Sequence, residues 1–525
     1  MNESLAWRPR HNPWVIALTV TIATFMEVLD TSIANVALPH IAGGLSAGLE
    51  ESTWVLTSYL VSNAVILPIS GWLSDRVGRK RFYMGCVAIF TVSSFLCGLA
   101  PSLGMLIFFR ILQGVGGGGL APSEQAILTD TFEPSKRGMA FAVYGMAVVL
   151  APAIGPTLGG LIADHYSWRW IFYINVPFGI LSLLLTSRIV EDSPNQKEIQ
   201  EQARHVPVDF LGLALVAIGL ASLQVVLDKG QIDDWFGSSF ITSLSIISAI
   251  SLLCFVFWEW RNPEPILKIT LLKNRSFAVA CTLMLFLGIM LFGSTVLIPQ
   301  YLQVLMRYTA ERSGMAMSAG GLMTLCLLPL VGRLVAKVDA RILIGIGFGI
   351  SGLALYHMTG IYLGIDFTQA SLLRVYQAAG IAFLFVPIQT ISYVGNAPKD
   401  SNQVSAILNL ARNLGGGIGI SAVTTLIARR AQVHQRYLVA HVGNAGSIFS
   451  DHVYSLRATL NHAGLSDYGA NQQAHARLYH SLVVQAQALA YIDTFEILAI
   501  VCLLMIPLAF LARRNTPGQR GTAAH

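Results

Sequence analysis

Residues 14–38 read WVIALTVTIATFMEVLDTSIANVAL, 25 residues in which only Glu27 and Asp30 carry charge. At 1.5 Å per residue a helix of this length reaches ~37 Å, beyond the ~30 Å hydrocarbon core of a bilayer. The run is too long for the core of a signal peptide and has acids inside it, so it reads as a retained membrane helix. Glu27 and Asp30 are three residues apart and therefore share a helix face. Ionisable groups at membrane depth are costly and mark a pathway, a relay or a buried pair.

The rest of the chain repeats this pattern. It has 525 residues, 54% hydrophobic and 12% charged, against the ~25% charged residues of soluble domains. Apolar runs between breakers predict fourteen spans, near 14–38, 54–73, 82–100, 104–126, 138–163, 169–188, 209–228, 238–258, 276–298, 313–335, 340–362, 370–393, 403–427 and 487–512. The class is an all-α polytopic membrane protein. All six cysteines fall inside apolar runs without paired or metal-ligand spacing, and are expected to be packing residues with no disulfide or metal.

An even number of spans leaves both ends of the chain on one side. Placing them inside puts 22 of the 34 Lys and Arg on that side and nine outside, while Arg110, Arg374 and Arg412 lie within helices. Basic loops face the cytoplasm, so both termini are expected there. The net charge of +6 is scattered over these loops, which is a topology signal rather than a nucleic-acid surface.

Two stretches interrupt the short connections. Residues 189–208 form a charged linker after the sixth span, and 428–486 form an external segment too long for a passive loop. The division is therefore 1–188 as a first six-helix half, 189–275 as the linker plus two inserted helices, and 276–525 as a second six-helix half. Helices are expected within 471–491, with Leu478, Leu482, Val483 and Leu489 as an apolar stripe. The six histidines of the external segment, His434 among them, lack close metal spacing and read as a solvated surface.

Several residues resist a purely structural reading. Asp30 lies ~12 Å from the outer end of its span and Arg110 ~9 Å from the same end of the fourth. They form a buried pair, either static and structural or responsive to protonation. Glu27 is either a proton carrier or contact for a cation, or a neutral side chain bonded to another helix. The loop GWLSDRVGRKR, 71–81, places Asp75 among Arg76, Arg79, Lys80 and Arg81, with Gly71 and Gly78 allowing close approach and a tight turn. The fifth span holds Pro152, Gly155, Pro156, Gly159 and Gly160, a kinked helix with a small face. The run QGVGGGG at 113–119 neither follows a strand nor ends in Lys-Ser/Thr, which excludes a phosphate loop and ATP as the energy source.

LDTSIANVALP (29–39), GWLSDRVGRKR (71–81), RILQGVGGGG (110–119) and APAIGPTLGG (151–160) resemble the major facilitator superfamily. With fourteen spans, VPVDFLGL (206–213) opening the seventh and a long loop before the last, the chain is similar to the EmrB/QacA branch of drug:proton antiporters. That resemblance implies the major facilitator fold, two six-helix halves plus two inserted helices. It implies proton coupling through Asp30 and Arg110, a conformational switch at Gly71, Asp75, Arg76, Gly78 and Arg79, and an exporter motif at Gly155, Pro156, Gly159 and Gly160. Ala151 stands where the motif has its first glycine. The implied activity is export of lipophilic small molecules from a Gram-negative inner membrane, with the proton as coupling ion and no cofactor. A periplasmic adaptor and a TolC-like outer-membrane channel are the implied partners.

A membrane enzyme would need a convergent nucleophile, base or metal cluster, and the sequence offers none. A dedicated exporter of one metabolite, fatty acid or bile salt stays open, as does a non-transporting membrane sensor.

Overall fold

The computed structural model describes residues 9–204, 207–444 and 446–514. Arg8 and Arg520, which entered the orientation count, lie outside the described residues. The first six spans are built from α1 (Pro13–Gly44), the short α2 (Leu49–Ser52), α3 (Trp54–Val77), α4 (Arg79–Leu99), α5 (Leu103–Gly117), α6 (Leu120–Thr131), α7 (Pro134–His165), the short α8 (Trp170–Tyr173) and α9 (Asn175–Ile189). The linker carries α10 (Pro194–Arg204), and α11 (Phe210–Lys229) and α12 (Ser239–Arg261) are the inserted pair. Then follow α13 (Arg275–Gln300), α14 (Ala310–Leu334), α15 (Ala340–His357), α16 (Phe367–Ser392), α17 (Ser401–Asn444), α18 (Gly446–His462) and α19 (Asp467–Ala509).

Helix starts follow their capping residues. Asn12, Ser102, Asp209, Asn274, Thr309 and Asp366 each accept a bond from a backbone N–H two or three residues on, which satisfies donors that a membrane leaves without water. The fourth expected span is two helices, α5 and α6, divided in the glycine run. The glycines are there for packing: a Cβ on Gly116 would stand 2.6 Å from Phe90 N, and one on Gly118 2.7 Å from Asn63 O.

Among the described residues thirteen helical segments are long and apolar enough to cross a membrane. The expected span outside that set is the first part of α17. Asn402, Gln403, Asn409 and Arg412 all lie there and all are buried, so α17 is polar because it faces other helices rather than lipid. Apolar side chains instead crowd the outside of the bundle, as with Ile250, Leu253 and Phe257 of α12. Cys254 and Cys326 are exposed on that outer surface, which corrects their reading as packing residues; Cys86, Cys97, Cys281 and Cys502 are buried.

The inserted pair sits against the bundle through α11, which packs on α3 and touches α17. Its outer end is tied down where Asp228 accepts from Thr57 and Lys229 reaches Glu50 O at 3.4 Å. The described residues of 428–486 are almost all helical. α17, with 44 residues, and α19, with 43, are each ~65 Å long and overreach the bilayer core. α18 folds back on α19 through Leu460 against Ala470 and Ala474. Leu478, Leu482 and Val483 are half-buried, and the fully buried positions nearby are Ala486, Ala488 and Ala490. Small residues, not the leucine stripe, make the close contact. His434 also departs from the solvated reading: it lies 2.7 Å from Asp493, which Arg430 contacts at the same distance.

Candidate functional site

Asp30 and Arg110 meet. Arg110 Nη1 donates to Asp30 Oδ2 at 2.6 Å, and both side chains are almost wholly buried. Gln113 donates to Asp30 Oδ1 at 2.9 Å and Asn175 donates to the same oxygen at 2.7 Å. Arg110 also donates to Gln113 Oε1 at 2.8 Å and to Val55 O at 3.0 Å, and lies over the Tyr59 ring at 4.4 Å. The carboxylate thus draws donors from α5 and α9 onto α1. A buried pair is stable only when its remaining lone pairs and protons are satisfied, and here three donors reach one carboxylate.

Glu27, one turn away on α1, is turned to different partners and is only half-buried. It accepts from Asn63 at 3.1 Å and Tyr59 at 3.4 Å, both on α3. Asn413 of α17 donates to Asn63 Oδ1 at 3.3 Å, and Arg412 acts on Glu27 electrostatically from the same helix. Arg412 itself bonds Tyr144 of α7 at 3.0 Å. Glu27 therefore stands where the first six spans face α17, across from a guanidinium.

A second carboxylate at this seam is Glu124 of α6, fully buried. It accepts from Thr21 at 2.7 Å and from Thr24, both one to two turns from Glu27 on α1. Sequence reasoning passed over Glu124 although it lies within the fourth expected span, where the rule that singled out Glu27 applied equally. Gln125 beside it exchanges bonds with Asn409 of α17. Among the described residues no ion pair is made by Glu27 and Glu124 of the first six spans or by Arg374 and Arg412 of the last six.

The α7 motif packs on α1. A Cβ on Gly155 would strike the Ser32 side chain, and one on Gly159 would stand 3.0 Å from the Ile33 side chain. Ser32 also reaches the Pro152 carbonyl at 3.4 Å, an oxygen exposed within the helix by Pro156 four residues on. Gly160 meets nothing within 4 Å, so close packing does not explain that position. The opposite face of α7 holds α14, where Ser318 donates to Ala153 O at 2.8 Å.

At the end of the bundle carrying residues 71–81 the two sets of spans are joined. Asp75 accepts from Asn402 of α17 rather than from the arginines beside it. A Cβ on Gly71 would lie 3.1 Å from Asn402 O, and Gly78 turns the chain at φ +95°. Arg76 lies over the Trp72 ring at 5.5 Å. Arg79 is buried and donates to Ala126 O at 3.1 Å, Asp130, Gln196 at 2.9 Å and Ser401 at 3.1 Å. Gln196 belongs to α10, so the linker expected to be merely charged is part of this junction. Phe141 of α7 stacks on Tyr393 at 5.6 Å. Gly138 of α7 and Gly332 of α14 lie backbone to backbone, a Cβ on either coming 3.0 Å from the other's carbonyl oxygen.

The arrangement is a seam joined at the end of residues 71–81, with Glu27 deeper in, beside the polar contact between α3 and α17. The Major Facilitator Superfamily model matches residues 20–420. The multidrug export protein EmrB of Escherichia coli (strain K12) is 34% identical over 500 residues, covering 95% of each chain. The fatty acid resistance protein FarB of Neisseria gonorrhoeae is 34% identical over 523 residues, 99% of this chain and 98% of the relative. Among solved structures the proton:xylose symporter XylE superposes with a TM-score of 0.58 at 14% identity, covering 93% of this chain and 94% of that one; that likeness is of fold alone.

Proposed function

This chain belongs to the Major Facilitator Superfamily, and from that premise we propose that it exports hydrophobic or amphipathic compounds across the membrane in exchange for protons. It is a multi-pass membrane protein similar over nearly its whole length to multidrug exporters. The observation that carries the reading is Glu27, a half-buried carboxylate bonded through Asn63 to the stretch of α17 that holds Arg412 and Asn413, one turn from the Asp30–Arg110 pair. A carboxylate at membrane depth that gains and loses a proton changes its attraction for the facing arginine, and so biases which end of the seam is closed. Asp30 and Arg110 hold α1 to α5, and their bond is the second point at which protonation acts. The residues of 71–81 act on the switch, and the α7 glycines let α1 and α7 move as closely packed neighbours.

The setting proposed with this activity is a bacterial inner membrane with both chain termini cytoplasmic, so that the closed end of the seam faces the cytoplasm. A periplasmic adaptor and a TolC-like outer-membrane channel are the partners proposed for the projecting helices of α17, α18 and α19. No cofactor and no enzymatic step belongs to the scheme. A dedicated fatty-acid exporter is the second reading, favoured by the likeness to FarB.

Purified protein in proteoliposomes tests the proposal: adding substrate to one side of a vesicle with an imposed pH gradient should move protons at a rate that depends on substrate. Proton flux indifferent to every amphiphile tried, with binding intact, points instead to a sensor.

A further inference from the structure

Arg374 is a buried guanidinium, 6% exposed, without an ion-pair partner among the described residues. It lies seven residues after the first residue of α16, Phe367, as Arg110 lies seven after the first residue of α5, Leu103. Both helices are capped by the residue just before, Ser102 and Asp366. Both arginines donate Nη1 to a glutamine three residues on, Arg110 to Gln113 at 2.8 Å and Arg374 to Gln377 at 2.6 Å. The two segments, RILQ and RVYQ, are the same device built twice.

The devices differ in what they hold. In the first, one carboxylate is clamped by both members, Arg110 on Oδ2 and Gln113 Nε2 on Oδ1 of Asp30. In the second, Arg374 Nε and Gln377 Nε2 are buried donors without partners. The sequences of α13, α15 and α16 contain neither Asp nor Glu, and the one acid of α14 is Glu311 near its start. Asp493 of α19 is taken by Arg430 and His434. Glu496 of α19 is exposed, so among the described residues no carboxylate pairs with the second clamp, although a charge at this depth is stable only when paired.

α14 makes room for the arginine itself. The Arg374 stem rests on Gly320, where a Cβ would stand 2.7 Å from Arg374 Cγ. Gly321 next to it faces Ala153 of the kinked α7 at 2.6 Å. The clamp thus lies one helix away from the α7–α14 seam that must shift during transport.

We propose that Arg374 and Gln377 form a carboxylate-binding clamp for the head group of an amphipathic acid, a substrate of the transport proposed above. The free Arg374 Nε and Gln377 Nε2 present donors to two oxygens of one planar anion, as Arg110 Nη1 and Gln113 Nε2 do for Asp30 in the first half. Cationic or neutral amphiphiles gain nothing from it. The inference rests on the exporter reading for its role, but the clamp itself is tested by binding alone.

The test uses full-length protein in lipid nanodiscs and three probes with the same ten-carbon tail: decanoate, decyltrimethylammonium and decanol. Wild type is expected to bind decanoate at least tenfold more tightly than decanol. Arg374→Gln should lose that preference while its affinity for decanol or decyltrimethylammonium stays within twofold, which also shows that it is folded. Arg374→Lys should recover part of the preference, since it restores charge without the planar fork. Gln377→Ala, which leaves the arginine in place, should weaken decanoate about threefold to tenfold and serves if Arg374→Gln does not fold. Wild type that binds decanoate no better than decanol overturns the clamp. So do variants that lose all three probes equally or keep the decanoate preference. Selective binding without proton-coupled export would sink the exporter reading and leave the clamp standing.

Discussion

The side-chain amides of Gln125 in α6 and Asn409 in α17 bond each other twice, Gln125 Nε2 to Asn409 Oδ1 at 3.2 Å and Asn409 Nδ2 to Gln125 Oε1 at 2.8 Å. Both are buried, and Gln125 is the residue after Glu124. Removing one partner strands a buried amide at ~1–3 kcal/mol, whereas replacing both by apolar groups of like shape is nearly neutral. Gln125→Ala or Asn409→Ala should therefore open the closed end more often, and the double Leu variant should open it less than either. Thiol labelling of a cysteine placed at Ser74, buried at this end, reads the opening. Equal labelling in all three variants would dismiss the amide pair as a latch.

Asp30→Asn should abolish proton-coupled export while the protein stays folded and inserted. The asparagine keeps the shape but accepts from Arg110 without charge. Arg110→Ala should be harsher, leaving Asp30 charged and buried at a cost of ~3–5 kcal/mol, seen as a lower unfolding temperature in detergent. Unchanged efflux by expression-matched Asp30→Asn would remove this pair from the coupling path, and loss of folding would make it a static packing pair.

Glu124→Gln keeps one of the two oxygens that accept from Thr21 and Thr24, replaces the other by an amide nitrogen, and fixes the group neutral. Transport by this variant should lose part of its dependence on pH, because this position no longer exchanges a proton. An export–pH curve superposable on wild type would show that Glu124 serves only to hold α1 against α6.

Asp75→Asn and Arg79→Gln should lower turnover several-fold with little change in substrate affinity. Their bonds join the two sets of spans at the closed end, far from Glu27, so they set the rate of separation. A large drop in equilibrium affinity for substrate would place them at the binding site and contradict the assignment.

Replacing the interior of 428–486 by a short linker should leave proteoliposome transport intact and abolish capture of a periplasmic adaptor. Val433 and Tyr437, a turn apart on projecting α17, are both exposed, and an apolar row beyond the bilayer is what a helical partner covers. Retained capture after the deletion would make the hairpin a self-contained element, held by α18 on α19.

Much of the fold was readable because apolar runs long enough to cross a membrane leave few alternatives, and Asp30 with Arg110 was readable because charge at that depth demands a partner. Three things were less legible. The first part of α17 hides in polarity that belongs to helix-facing positions such as Asn409 and Arg412. Asp75 was expected to pair across to a neighbouring helix end, and it does, but its partner Asn402 lies 327 residues away in sequence, and no local pattern names such a partner. Glu124 was visible in principle, since it lies within the fourth expected span, but its partners Thr21 and Thr24 are about a hundred residues away in sequence and no local pattern announces them.

Gly138 against Gly332 sets how firmly the seam is shut. A contact of two glycine backbones withdraws almost no apolar side chain from water, so it contributes little of the ~25 cal/mol per Å² that clamps an ordinary interface. Around it closure rests on the Phe141–Tyr393 stack and on exchangeable hydrogen bonds, each worth a net ~0.5–1.5 kcal/mol because water can replace them. A handful of these gives a preference of a few kcal/mol, the range in which the minor conformer is populated at ~0.1–10%. Inverting a 1:99 population to 99:1 takes ~5.5 kcal/mol of differential affinity, which a proton and a ligand supply between them; an interface of interlocked leucines would put that inversion out of their reach.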